Sequence, residues 1–488
     1  MKRWLFTSVA LPVALVASAC TGSGNEAETS TTAAPTVPST TDIVAEASDP
    51  AGDGRARNQV GYVFPDAPPI TNEGALDPAT QAALEDLWGS LGPDIDNQAI
   101  LALGQSGDVR LAWLLVDVLR FLQGGPTSEA LVGAITTLTG IDLAPDPVAA
   151  RSPWQSLTDH LIAWDLPAIA DYGMYKGRLF TIIEPAWQPF FDDPSSVIDW
   201  RFTSWGGVLI DDRPLGDTAP CERGCIPALD DPPTTGAEGG SWYPDERVVF
   251  GVVVNGEARA YPKNQMEIHE MINDTLGGRR LGIPYCTLCG SAQAYFTDSV
   301  PSGIEVPVLR TSGLLTRSNK VMYDLNTASI LDTFTGEAIT GPLHEQGVVL
   351  EQATVVTSTW GEWKLAHPDT TILASDGGIG RTYPLDPLRG RDDNGPIFPI
   401  GDVDPRLPTQ AQVVGVIHPD GTAVAFNVDA LSSALGSRDS VEFNGITIVR
   451  DGGGFTATLR DGTPIASHQA FWFAWSQFHP ETLVYGTG

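Results

Sequence analysis

Between Met266 and Cys289 the chain collects the side chains best suited to chemistry: Met266, His269, Glu270, Cys286 and Cys289. Met266 and His269 are three residues apart, which places them on one face of a helix, with Glu270 close to that face. Cys286-x-x-Cys289 follows at the end of the next apolar run. Two thiolates and an imidazole, completed by a thioether or a carboxylate, make a soft four-coordinate set. Such a set suits copper(I), or zinc where Met266 stays out. The expectation is one copper or zinc ion on His269, Cys286 and Cys289, with Met266 or Glu270 as fourth ligand. Two other readings stand beside it. A Cys-x-x-Cys pair after a strand can act as a thiol–disulfide couple, the chemistry of an envelope oxidoreductase. The sulfurs can also be structural, in a non-catalytic scaffold.

Neighbouring residues exclude further classes. His269-Glu270 begins like a zinc-protease helix, but Asn273 stands where the second histidine would be. No Gly-x-Ser-x-Gly elbow and no glycine-rich phosphate loop stands out, and whether the chain is an enzyme is left open. The second pair, Cys221-x-x-x-Cys225, sits in a Pro/Gly-rich polar stretch without a histidine and reads as a local disulfide. His367 and His479 each follow a tryptophan pair and precede a proline, a repeated arrangement that reads as capping or packing.

The elements that must hold these residues follow from patterning. Lys263 to Asn273 reads as the helix, stopped by Gly277-Gly278. Val248–Val254 and Ala258–Tyr261 flank Asn255-Gly256 as a hairpin, and strands are expected at Leu281–Tyr285, Ala292–Phe296, Val306–Arg310 and Val321–Tyr323. Upstream, from 59 to 200, apolar residues recur at helical spacing, with Gly104 and Ser106-Gly107-Asp108 separating two helices and Ser128 to Leu138 forming a third. The last hundred residues repeat the earlier ones. Val249-x-Gly251-Val252 matches Val413-x-Gly415-Val416, and Trp360-x-x-Trp363-x-x-x-His367-Pro368 matches Trp472-x-x-Trp475-x-x-x-His479-Pro480. The fold class expected is α+β, mostly antiparallel, with an internally duplicated C-terminal domain after a small all-α domain. Its parts are a helical domain at 59–200, a first half carrying the Cys/His site at 201–400 and a divergent second half at 401–488. The second half has neither the helix histidine nor a cysteine.

The N-terminus reads as an export signal. Lys2 and Arg3 precede the apolar run Trp4 to Val16, and Ala17-Ser18-Ala19-Cys20 is similar to the end of a lipoprotein signal, with Cys20 taking the lipid. Residues 21–58, rich in Ser, Thr, Ala and Pro, read as a tether. The expected place is the outer face of the cytoplasmic membrane or the cell envelope, with lipid as the membrane anchor. A net charge of −32 over 488 residues argues against nucleic acid as a partner. A protein partner for the helical domain is left open.

In order along the chain, Ile226-Pro227-Ala228-Leu229-Asp230-Asp231-Pro232, Ala258-Arg259-Ala260-Tyr261-Pro262, His269-Glu270-x-x-Asn273-Asp274, Tyr285-Cys286-Thr287-Leu288-Cys289-Gly290, Ser312-Gly313-Leu314-Leu315, Met322-Tyr323-Asp324, Phe334-Thr335-Gly336-Glu337-Ala338-Ile339 and Phe471-Trp472-Phe473-Ala474-Trp475 form a series of motifs. The series, over about 205–488, resembles domain-of-unknown-function family 3179. Two positions depart from it: Thr287 replaces the usual proline between the cysteines, and Ile330-Leu331 stand where the family has a tryptophan. The resemblance supplies no activity. Asn273, Asp274, Asp324 and Glu337, polar residues within these motifs, are expected to line a pocket or to satisfy turns.

Overall fold

The computed structural model describes residues 54–391 and 395–487. The expected export signal, the expected lipidation at Cys20 and most of the expected tether lie outside the described residues. No helix among the described residues is long and apolar enough to cross a membrane.

Six helices of nine residues or more build the N-terminal region: Pro78–Gly89, Asn97–Gln105, Ala112–Phe121, Pro126–Thr139, Pro153–Ala163 and Tyr172–Ile183. Their starts are written locally. Asp77, Asp96 and Ser152 each accept hydrogen bonds from the first-turn N–H groups, and Gly140 closes a helix in the left-handed conformation. One expectation changes. Gly104 does not break a helix; it lies inside Asn97–Gln105, where an added Cβ would come within 2.8 Å of Ala134 Cα. The glycine lets two helices approach closely, and the break falls after Gln105. Leu84, Leu103, Trp113 and Leu115 share one core with Ile210, Leu314, Val321, Tyr323 and Phe398, so the helices pack directly on the sheet-rich region.

Beyond residue 200 the fold is two copies of one plan. In the first, strands run in the order Val356–Thr359, Val248–Val254, Glu257–Pro262, Thr371–Leu373, Thr234–Gly236; in the second, Ser467–Phe471, Gln412–Ile417, Ala423–Asn427, Leu483–Tyr485. Register agrees residue for residue: Gly251 faces Ala260, and Gly415 faces Ala425. The strand that follows each tryptophan helix joins in parallel in both copies. Trp363 Nε1 donates to Thr370 Oγ1 at 2.9 Å, and Trp475 Nε1 to Thr482 Oγ1 at 3.0 Å. His367 and His479 each cap the helix carrying the preceding tryptophan.

A second sheet is also duplicated. Met271–Leu276, Arg279–Cys286, Ala294–Phe296 and Glu351–Ala353 correspond in order to Val441–Phe443, Ile446–Asp451, Gly454–Leu459 and Pro464–Ile465. The copies differ in the third connection. In the second copy it is a turn from 460 to 463. In the first it is an insert from 297 to 350, whose strands Leu309–Thr316, Asn319–Asp324 and Ile330–Leu331 form a sheet with Thr203–Trp205 beside the helices.

Candidate functional site

The Arg279–Cys286 strand ends in a single 3-10 turn, Thr287–Cys289, closed by Gly290 at φ 58°. That turn brings the Cys286 and Cys289 sulfurs to 2.7 Å from each other. Both are buried, with Cys286 3% exposed and Cys289 fully covered. A Cβ on Gly290 would come within 2.9 Å of the Phe471 ring, so the second copy closes the back of the turn.

The front is closed by the insert. Its hairpin turns at Arg317 and Ser318, both at positive φ (47° and 67°), the conformation a two-residue type I′ turn requires. The Ser318 carbonyl then accepts from Cys289 Sγ at 3.2 Å and lies 3.8 Å from Cys286 Sγ. Two residues on, Lys320 donates to the Glu270 carbonyl at 2.5 Å, with its ammonium 3.4 Å from Glu270 Oε2. Thr287 Oγ1 donates to Glu270 Oε1 at 3.3 Å. Burial pushes the Lys320 amine down, opposed by the charges of Glu270 and Cys286. Burial pushes the Cys289 thiol up, and its hydrogen bonding with Cys286 adds to it. Glu270, Cys286, Thr287 and Lys320 line a partly open cavity of about 70 Å³, walled by the insert strand at Thr311–Leu315.

The expected helix is shorter than its pattern suggested. It runs Lys263–His269 and ends at Glu270, which adopts a left-handed conformation (φ 50°) while its N–H bonds to the Met266 carbonyl. Asn273 and Asp274 therefore lie on the strand Met271–Leu276. Asn273 bridges Asp230 and the Leu309 backbone, and Asp274 accepts from Arg259 and Tyr261. Asp324 accepts from Val308 N and from Thr327, holding a turn, and the Glu337 side chain is exposed. None of these four lines the cavity beside Cys286.

The proposed metal donors are distributed as follows. Met266 is packed in the apolar core with Phe250, Tyr261, Ile272 and Tyr285. His269 is fully buried; its Nδ1 faces the Pro227 carbonyl at 2.6 Å and its Nε2 the Tyr383 hydroxyl at 2.7 Å. A carbonyl accepts only, so Nδ1 carries the proton and Nε2 accepts from Tyr383. Burial pushes this imidazole down to about 4, which keeps it neutral. Both ring nitrogens are thus occupied. Cys286, Cys289 and Glu270 are the members of the set that the fold brings together. Among the described residues no group of three or more His, Cys, Asp and Glu stands in a metal-holding arrangement. Cys221 and Cys225 are joined in a disulfide and offer no thiolate.

Residues 223–461 match the sequence model of a family described as "Protein of unknown function (DUF3179)". The chain is similar to the DUF3179 family through that segment. The segment contains both cysteines, Glu270 and the whole insert, while Phe471 behind Gly290 lies beyond it. No curated protein and no solved structure matches the chain.

Lys320 and Ser318 escaped the sequence reading. Every residue of Asn319–Asp324 is buried, so the strand carries no alternation to show that its lysine points at a site. Arg317-Ser318 lacks the Asn-Gly signature that marks such a turn. The Ser312-Gly313-Leu314-Leu315 motif was visible, and it forms the cavity wall at a register shift in the strand pair.

Proposed function

We propose that this protein is a thiol–disulfide redox protein of the cell envelope, with Cys286 and Cys289 as its dithiol–disulfide couple. The observation that carries the reading is the 2.7 Å between their sulfurs. A tetrahedral ion with metal–sulfur bonds of about 2.3 Å would hold two thiolates about 3.8 Å apart. A disulfide needs them to close by only about 0.7 Å. In the cycle both thiols give up their protons and the pair passes two electrons to an external two-electron oxidant, a disulfide or a peroxide, as the S–S bond forms; an external thiol restores them. Lys320 supports the reading because it lines the same cavity as Cys286, where an ammonium group would favour the charged form of an exchanging thiol. The lipid on Cys20 and the tether would hold the couple at the outer face of the cytoplasmic membrane.

A dithiothreitol redox titration with peptide mapping tests this. A Cys286–Cys289 disulfide should form and open reversibly while Cys221–Cys225 persists. Purified reduced protein carrying one equivalent of copper or zinc, lost in Cys286→Ala/Cys289→Ala, would replace this reading with the soft-metal one. Loss of fatty-acid labelling in Cys20→Ala tests the anchor.

A further inference from the structure

We infer that the oxidant for this couple is a small alkyl hydroperoxide rather than the disulfide of another protein, an inference that rests on the redox reading above. The argument is one of access. Cys286 is 3% exposed and is reached through a cavity of about 70 Å³, room for roughly five water-sized groups. In-line attack on a protein disulfide would require two main chains to bring their sulfurs to Cys286 through that space. A molecule of about five or six non-hydrogen atoms matches that space. Composition selects among small oxidants. Val208, Leu288, Leu314, Leu315, Val321 and Phe398 supply the apolar wall, which suits a short alkyl group better than a second hydroxyl. Lys320 and Glu270 supply one charge of each sign on the same cavity, so neither an anion nor a cation is favoured.

The chemistry balances. The Cys286 thiolate attacks the terminal oxygen of ROOH; an S–O bond forms, the O–O bond breaks, and the leaving alkoxide takes a proton from the Lys320 ammonium. Cys286 is then a sulfenic acid. The Cys289 thiol gives its proton to Lys320 and attacks the Cys286 sulfur. The S–S bond forms, the S–O bond breaks, and hydroxide leaves to take a proton from solvent. The peroxide has gained two electrons and become ROH plus water, and the dithiol has lost two. The 2.7 Å between the sulfurs lets the second step proceed without unfolding the turn.

The test uses the reduced full chain with Cys221–Cys225 intact. One equivalent of tert-butyl hydroperoxide should produce the Cys286–Cys289 disulfide at least tenfold faster than hydrogen peroxide does. Cys289→Ser should stop at a Cys286 sulfenic acid, read as a mass gain of about 16 Da on that residue, and Cys286→Ser should not react. Insulin disulfides should stay oxidised. Insulin reduction as fast as hydroperoxide turnover, hydrogen peroxide matching the alkyl compound, or equal oxidation of Cys286→Ser would each overturn the inference. Molecular iodine, a two-electron oxidant small enough for the cavity, separates the two readings. Should it close the Cys286–Cys289 bond while hydroperoxides do not, only the choice of oxidant fails. Should no oxidant close it, the redox reading fails with it.

Discussion

The Lys320 ammonium donates to the main-chain carbonyl of Glu270 across 2.5 Å and thereby ties the insert hairpin to the end of the helix bearing His269. This bond joins a residue of the insert, absent from the second copy, to the one left-handed residue that ends the helix. The thiol pair lies beside the junction.

Lys320→Met should slow alkylation of Cys286 by iodoacetamide about tenfold at pH 7, the effect of removing one nearby cation from a thiolate. Lys320→Arg should recover most of the rate. Measuring in a Cys289→Ser background leaves one reactive thiol, and an unchanged rate in Lys320→Met would show that the cation does not act on it.

The duplicated plan makes a paired prediction about packing. A Cβ at Gly251 would lie 2.4 Å from the Trp363 ring, and one at Gly415 2.0 Å from the Trp475 ring. Neither buried indole can retreat, so Gly251→Ala and Gly415→Ala should each cost about 2–4 kcal/mol by urea denaturation. Gly133→Ala, in a helix with nothing near its Cβ position, should instead stabilise by about 0.5–1 kcal/mol.

Arg310 is fully buried and makes two bonds to Asp230, at 2.9 and 2.7 Å, joining the insert to the Leu229–Asp230 strand. Asp230→Ala would leave the buried guanidinium only the more distant Asp211 carboxylate, 3.8 Å away and shared with Arg213, and should cost about 3–5 kcal/mol. Arg310→Met/Asp230→Leu should lose much less, because no charge is then stranded. Thermal or urea unfolding of both variants reads the difference.

His468 lies fully buried between Gln293 and Gln352 at the contact of the two copies, and burial, reinforced by His479, pushes its imidazole down to about 3. The unfolded chain takes up a proton near pH 6.5 that the native protein refuses. Its contribution is therefore fully present above that value and is lost as pH falls towards 3. Between pH 7 and pH 5 this amounts to roughly 2 kcal/mol for a single proton. His468→Gln should remove that part of the slope, seen by comparing urea midpoints of both proteins at pH 7 and pH 5. Parallel curves would mean that His468 is charged in the native state.

Local signals were the legible ones. The Asn255-Gly256 hairpin and the repeated Trp-x-x-Trp segments with their histidine caps depend on neighbours in sequence, and each appears where patterning places it. The end of the helix after His269 was not legible. Met-Ile-Asn-Asp continues an acceptable helical pattern, yet Met271–Leu276 gains more by pairing with Arg279–Cys286 in a sheet buried on both faces. Tertiary pairing overrides propensity there.

The sequence by itself determined the two-copy α+β plan, the resemblance to DUF3179 and the presence of two thiols three residues apart, because repeats, motifs and spacing are properties of order along the chain. Tertiary structure alone decided what surrounds those thiols. His269, 17 residues before Cys286, is turned to Pro227 and Tyr383, whereas Ser318 and Lys320, more than 30 residues after it, face the site. The reason is physical. A helix face fixes which residues share a side, but which buried donor meets which acceptor is settled only when distant strands close over one another and each polar group must find a partner.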